Sequence, residues 1–290
     1  MKQASRPTIL VRLNVMFCLL LVTSATTLAQ SDDWSEPFPG HRIIANLYAV
    51  GTHGLGVFLI TSDEGHILIN TGLEDSAPMI RRNVESLGFQ MHDIKILLTM
   101  QAHWDHAAAM AEIKEITGAE MWATKGDAIL LRDGGFSDPL FGGKELFNPV
   151  AVEKIIDDGD VIELGKIRLQ VYEHPGHTLG SSSYAMKVRE NGREYNVAIA
   201  NMGTMNPGTK LLVDPTYPGI ANDLARTYAS QKNMQVDVWV AAHGFQYGQH
   251  EKFKPGQAYS PDTFVDPAGF LAAIEQVEDI YLQQIAAEKE

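Results

Sequence analysis

Short apolar runs of strand length, separated by polar, glycine-rich turns, dominate the first third of the chain. The run from Ile43 to Val50 is β-rich and stops at Gly51, which predicts one strand. Val57-Phe58-Leu59-Ile60 and His66-Ile67-Leu68-Ile69-Asn70 flank the turn composition Ser62-Asp63-Glu64-Gly65, which predicts a hairpin. Ser76 opens a helical stretch with Pro78 in its first turn and Gly88 at its end. Ile94 to Leu98 is a short apolar run of buried-strand length, and a helix is expected from Ala107 to Ile116, closed by Gly118. The middle, from Asp133 to Asp160, is rich in Gly, Asp and Pro and reads mainly as loop. Strands resume at Ile167–Val171, Ser183–Val188 and Glu194–Ala200, and a helix follows from Ile220 to about Gln231, with Ile220, Leu224 and Tyr228 on one face. Val238–Ala241 is a further short strand, and the chain closes on a helix that spaces Phe270, Ala273, Ile274, Val277 and Tyr281 along one side. Strands alternating with helices predict a layered α/β protein. No composition break marks a linker, so residues 30–290 are expected to form one domain.

The first 29 residues have a different character. Lys2, Arg6 and Arg12 make a basic start, an apolar run follows from Val15 to Val22, and Thr27-Leu28-Ala29 offers small residues before Gln30. This is the composition of a secretory signal peptide, and the run is far shorter than the roughly 20 residues of a bilayer span. The expected destination is the periplasm, with no membrane association after cleavage. Cys18, the single cysteine, lies inside that run, so the mature chain has neither a disulfide nor a thiolate to offer a metal. Three of the 23 basic residues and none of the 36 acidic ones fall in the leader, which leaves the mature chain at −16 with histidine neutral. Such a chain repels phosphate backbones, and no Lys/Arg cluster with interleaved aromatics relieves that, so nucleic acid is excluded as a partner.

Candidate chemistry sits just beyond three of the predicted strands, where loops on a rigid scaffold display functional groups. Gln101-Ala102-His103-Trp104-Asp105-His106 puts four potential metal ligands within six residues. Alternation would send Gln101, His103 and Asp105 to one side of an extended stretch, while His106 turns away as a helix begins, so one loop could feed two adjacent metal positions. Asp105 is also placed to cap that helix. In Glu173-His174-Pro175-Gly176-His177-Thr178, the Pro-Gly turn favours His177 as the exposed imidazole, with His174 close enough to compete. His243 follows in Ala241-Ala242-His243-Gly244, where Gly244 permits a sharp exit.

These segments together resemble the metallo-β-lactamase superfamily. More narrowly, the chain resembles the third subclass of class B β-lactamases from about His41 onward, including Ile67-Leu68-Ile69-Asn70-Thr71-Gly72, Tyr217-Pro218-Gly219-Ile220 and the stretch from Val238 to Lys252. The resemblance implies an αβ/βα sandwich, with two facing mixed β-sheets and helices on the outer faces. It also implies one metal position held by Gln101, His103 and His177 and another held by Asp105, His106 and His243, for one or two zinc ions. Two departures from the family pattern matter. Gln101 stands where most of the family has histidine, and Asn201-Met202-Gly203-Thr204 stands where many relatives carry Asp-Ser-x-Ser. The second removes the metal-bridging Asp of thioester, lactone and RNA hydrolases, and leaves Thr204 as the nearest hydroxyl for a β-lactam carboxylate. Trp104 is a candidate for the wall of the same pocket.

The implied activity is zinc-dependent opening of the β-lactam amide bond, carbapenems included, with Asp105 both ligating and orienting the nucleophile. Zinc lowers the pKa of a bound water to about 7, which makes hydroxide available without a strong general base. An amide oxygen is a poorer zinc donor than imidazole, so the Asp105/His106/His243 position is expected to fill first. The competing readings are a lactone, thioester or ester hydrolase on the same fold, and a non-catalytic zinc-binding protein.

Overall fold

The structure, a computed structural model, describes residues 32–290; the signal-peptide reading of residues 1–29 lies outside them. One sheet has seven strands in the order β1 (His41–Ile44), β2 (Leu47–Ala49), β3 (Phe58–Ser62), β4 (Gly65–Ile69), β5 (Ile94–Leu98), β6 (Glu120–Ala123) and β7 (Lys154–Ile155). It is antiparallel from β1 to β4 and parallel from β4 to β7. Its parallel crossovers carry α1 (Ala77–Ser86), the short α2 (Trp104–Ala107) with α3 (Met110–Thr117), and α4 (Lys125–Asp133). The second sheet has five strands in the spatial order β12 (Val238–Ala241), β11 (Arg193–Ala200), β10 (Ser182–Glu190), β9 (Ile167–Glu173) and β8 (Val161–Leu164). Helices α5 (Ile220–Asn233), α6 (Gln249–Lys252) and α7 (Pro267–Ala287) complete the chain.

Strand alternation builds two cores. Ile67 and Ile69, Phe58 and Ile60, and Ile96 and Leu98 face the second sheet, where they meet Leu169, Val171, Tyr184 and Ile199. The intervening Leu68, Leu59 and Leu97 face the other way, onto Ile80 and Val84 of α1, Ile113 of α3 and Leu131 of α4. The central strands of the first sheet are therefore apolar over most of their length, with polar residues such as Ser62, His66 and Lys95 only toward one end, because both of their faces are covered. Leu224 and Tyr228 of α5 and Phe270, Ile274 and Tyr281 of α7 belong to the same core as the second sheet. This is the two-sheet sandwich with outer helices that the sequence resemblance implies.

Two sequence expectations are corrected. The single strand from Ile43 to Val50 is a hairpin, because Ala45 takes a left-handed φ of 47° and turns the chain at Ala45-Asn46. The helix expected from Ala107 is broken into α2 and α3. The His106 carbonyl, which would accept from Met110 in a continuous helix, accepts instead from Thr71 N at 2.8 Å and Thr71 Oγ1 at 3.2 Å. The stretch from Asp133 to Asp160 is mainly loop as expected, apart from the two-residue β7; β6 and α4, just before it, carried no expectation because their short apolar runs have little periodic signal. Among the described residues, no helix is long and apolar enough to cross a membrane.

Candidate metal centre

Strands β5, β9, β11 and β12 all deliver their C-terminal ends to one edge of the sandwich, and each is followed by a segment bearing candidate residues. Polar contacts tie the two sheets together there. Ser182 N donates to Met100 O at 2.8 Å, Tyr184 OH to Thr99 O at 2.8 Å, and Gly56 N to Ala242 O at 2.8 Å. Gly56 is required by this approach, since a Cβ would lie 2.4 Å from the Ala241 carbonyl oxygen. Asn70 braces the loop after β5. Its Oδ1 accepts from Met100 N at 2.8 Å, and its Nδ2 donates to Gly56 O at 3.0 Å, which holds a non-glycine residue at φ 65°.

The loop Gln101–His106 divides its side chains between two places. Gln101 Nε2 lies 3.0 Å, and His103 Nδ1 3.1 Å, from His177 Nε2. Asp105 Oδ2 lies 3.1 Å from His106 Nε2 and 3.5 Å from His243 Nε2. The expected alternation therefore holds only as far as His103. That residue occupies the N-cap position of α2 without a side-chain cap bond, so Asp105 sits inside the helix, free of capping, beside His106. Asp105, His106 and His243 are all buried, and one ligand atom from each lies within 4.8 Å of the others. Neither ring nitrogen of His106 makes a hydrogen bond, and His243 Nδ1 is buried without a partner. Buried nitrogens left unpaired around a carboxylate are costly by themselves and are the donor set that a zinc-like cation satisfies. The chemistry of the site fits a metal.

The electrostatics agree with that fit. Burial pushes the Asp105 carboxyl up, but His106, then His243 and His103, outweigh it and hold the group below the ordinary carboxylate range. Burial lowers His177 to about 3 and His243 to about 4, with His103 adding to the first and His106 to the second. Both imidazoles are thus kept neutral, the form that ligates. His177 is presented by the Pro-Gly turn as predicted. Gly176 sits at φ 134°, and a Cβ there would meet Leu224 Cδ2 at 2.4 Å. His174 faces away from the centre; its Nδ1 contacts Ser183 Oγ at 2.7 Å and its Nε2 contacts Ser230 Oγ at 3.0 Å.

Several supporting residues carried no local sequence signal. Asp138 lies 3.2 Å from His103 Nε2 and accepts from Leu140 N and Phe141 N at 2.8 and 2.6 Å. Burial opposes its ionisation, but those bonds keep its pKa low. Asp127, fully buried and pushed up to about 6 by that burial, accepts from Thr178 Oγ1 at 2.7 Å, just behind His177. Asp138 lies in the stretch read as loop, and Asp127 just before it, where no element was expected. Thr204 contacts His177 Nδ1 through its carbonyl oxygen and its hydroxyl, each at 2.9 Å. A cleft of about 520 Å³ opens over the centre, with Trp34, Trp104, Phe141, Met205, Pro207 and Phe245 among its walls. Phe141 packs edge-on against both Trp104 and His103, at 5.3 Å between ring centroids in each case. Trp34 packs 5.3 Å from the His243 ring.

Facing sheets, helices outside and a buried Asp–His–His group under a cleft at one edge define a metal-binding αβ/βα sandwich. The metallo-β-lactamase superfamily model matches residues 57–189. The class B3 di-zinc metallo-β-lactamase LRA-12 from an Alaskan soil metagenome is 43% identical, with a TM-score of 0.86 over 89% of this chain and 98% of that one. A β-lactamase from Chitinophaga pinensis is 42% identical, with a TM-score of 0.86 over 90% of this chain and 99% of that one. The metallo-β-lactamase GOB-18 from Elizabethkingia meningoseptica is 40% identical, with a TM-score of 0.86 over 88% and 95% of the two chains. A hydroxyacylglutathione hydrolase from Rhodospirillum rubrum is 31% identical over 100 residues, 34% of this chain and 31% of that protein, so the match spans about a third of that curated relative. The chain belongs to the metallo-β-lactamase superfamily, and its similarity extends over nearly the full length of class B3 members.

Proposed function

We propose that the protein is a periplasmic, zinc-dependent β-lactamase that opens the amide bond of β-lactam antibiotics, carbapenems among them. Residues 1–29 act as its signal peptide and residues 30–290 as its catalytic domain. The observation that carries the proposal is the buried group of Asp105, His106 and His243, with unpaired nitrogens, at the foot of an apolar-walled cleft. Full-length likeness to class B3 β-lactamases supports the substrate class.

A zinc ion held there would supply Lewis acidity and an activated water at neutral pH. The chain's own residues do the rest. Asp105, whose ionised form is favoured by its histidine neighbours, orients the attacking water and takes part in holding the ion. His103 is aimed by Asp138, and His177 by Thr204, so their free nitrogens converge on a second, adjoining position that Gln101 also borders. Trp104, Phe141 and Trp34 exclude water around the bicyclic substrate and contact its apolar faces. Thr204, on the cleft wall, is the hydroxyl nearest to where the substrate carboxylate would lie.

The curated thioester hydrolases suggest a second reading. Asn201 weighs against it, since the family resemblance implies that such hydrolases typically carry a metal-bridging Asp near this position. Purified protein with its zinc content measured should hydrolyse a carbapenem and a penicillin, and a chelator should abolish both activities. Turnover of a hydroxyacylglutathione thioester with no β-lactam hydrolysis would replace the proposal with the second reading.

A further inference from the structure

We infer that Asn201 is a positioning residue that weakens the first metal position by competing for the amide oxygen of Gln101. The inference rests on the metal-dependent reading above. The Asn201 carboxamide is oriented by a group that only accepts: Met100 O lies 2.7 Å from Asn201 Nδ2. Turning the amide over would set oxygen against oxygen. The same Nδ2 lies 3.0 Å from Gln101 Oε1, so Asn201 donates and the Gln101 oxygen accepts. The Gln101 NH₂ is thereby turned toward His177 Nε2, 3.0 Å away.

The far end of the chain of contacts agrees independently. The carbonyl oxygen of Thr204, another pure acceptor, lies 2.9 Å from His177 Nδ1, so Nδ1 carries the proton and Nε2 the lone pair. Gln101 donates to that lone pair. Along this path from Met100 O to Thr204 O each donor meets an acceptor; beside it, Asn201 Oδ1 has no donor, and His103 Nδ1 faces the same His177 Nε2 at 3.1 Å as a second lone pair. Asn201 is also held rigidly, with 1% of its surface exposed. Its N–H donates to Ser183 Oγ at 2.9 Å, and its carbonyl accepts from Gln231 Nε2 at 2.6 Å.

The consequence is specific. For Gln101 to offer its oxygen to a cation beside His103 and His177, its bond from Asn201 must break and its amide must turn. The group Asp105, His106 and His243 needs no such step. Asn201 thus acts on metal loading without being a ligand.

The test is calorimetric titration of the metal-free protein with zinc, repeated with cobalt(II) and read by absorption. Wild type should bind one tight and one weaker equivalent. Asn201→Ala and the near-isosteric Asn201→Leu should tighten the weaker equivalent roughly tenfold, the scale of one exchanged buried hydrogen bond, and leave the tighter one within about twofold. If neither variant tightens it, the latch is refuted while the metal centre stands. If wild type binds no zinc, both readings fall. Wild type alone gives a check that does not depend on variant folding. In ¹⁵N-labelled metal-free protein, the Gln101 side-chain amide should be protected from solvent exchange and coupled through its hydrogen bond to His177 Nε2. A freely exchanging, uncoupled amide overturns the inference.

Discussion

The two halves of the centre line one cleft and solve the problem of buried polarity in opposite ways. Around Gln101, His103 and His177, the protein supplies most partners itself: Asn201 for the amide, Asp138 for one imidazole and Thr204 for the other. Around Asp105, His106 and His243, it withholds them. His106 is wholly buried with both ring nitrogens unbonded, and its 3.1 Å contact with Asp105 lacks hydrogen-bond alignment. A buried unpaired polar group costs about 1–3 kcal/mol. A fold keeps such a debt when something outside the chain settles it. Burial alone does not distinguish a metal site from a polar core, and single unpaired atoms occur elsewhere, at His41 and His66 among others; the clustering of unpaired imidazole nitrogens with a carboxylate does.

The sharpest way to break this comparison is to remove one ligand from each half. Asp105→Ala takes the only carboxylate from among two buried imidazoles. Losing that ligand should remove the tight zinc equivalent and lower kcat/KM at least a hundredfold, about 3 kcal/mol of transition-state stabilisation. Gln101→Ala removes a hydrogen-bond donor from a neutral imidazole, and its cost should stay below about tenfold. Steady-state kinetics and metal analysis on the same samples decide the matter. Equal losses would mean that the two positions work as one unit.

Acid should also reveal what both halves share. His177 and His243 have folded pKa values of about 3 and 4, below the ordinary 6.5, because burial disfavours the imidazolium. Between pH 6.5 and 4 the unfolded chain takes up protons that the native protein refuses. Stability is therefore fully present above 6.5 and declines as the pH falls. Each histidine contributes up to about 3 kcal/mol of that decline, at 1.36 kcal/mol per pH unit. Urea unfolding of metal-free protein at pH 7.5, 6 and 4.5 should show a falling midpoint, and a flat profile would show that these imidazoles are not desolvated. His41 and His174, also lowered to about 4 by burial, add to the slope from outside the centre.

The candidate ligand residues, and their convergence, were legible in the sequence because each follows an apolar strand, and strands of this kind end at one edge of a sandwich. The choice between His174 and His177 followed from the turn chemistry of Pro175-Gly176. What was not legible is long-range. Asp138 reaches His103 from 35 residues away, and Asn201 reaches Gln101 across 100. Neither contact leaves a periodic trace, and Asp138 sits in a segment whose composition says only loop. The break between α2 and α3 was hidden for the same reason, since it depends on Thr71 drawing off the His106 carbonyl.

Restoring an imidazole sharpens the comparison from the other side. Gln101→His replaces a turned-away amide with a good zinc donor, which should tighten the weaker equivalent by about ten- to a hundredfold, the range for a reshaped metal surrounding. Activity at saturating zinc should change less than activity at limiting zinc. An unchanged affinity would mean that Gln101 does not control this position.

The smallest effect concerns Thr204, whose hydroxyl lies on the cleft wall and also 2.9 Å from His177 Nδ1. Thr204→Val deletes the hydroxyl and keeps both the shape and the carbonyl oxygen that holds the imidazole tautomer. If the hydroxyl binds the substrate carboxylate, KM rises a few-fold, the value of one exposed hydrogen bond at about 1 kcal/mol, while kcat and zinc affinity stay put. If it serves His177 instead, the weaker zinc equivalent loosens and KM does not move. The two readouts are separable because the carbonyl alone already fixes which nitrogen of His177 faces the centre.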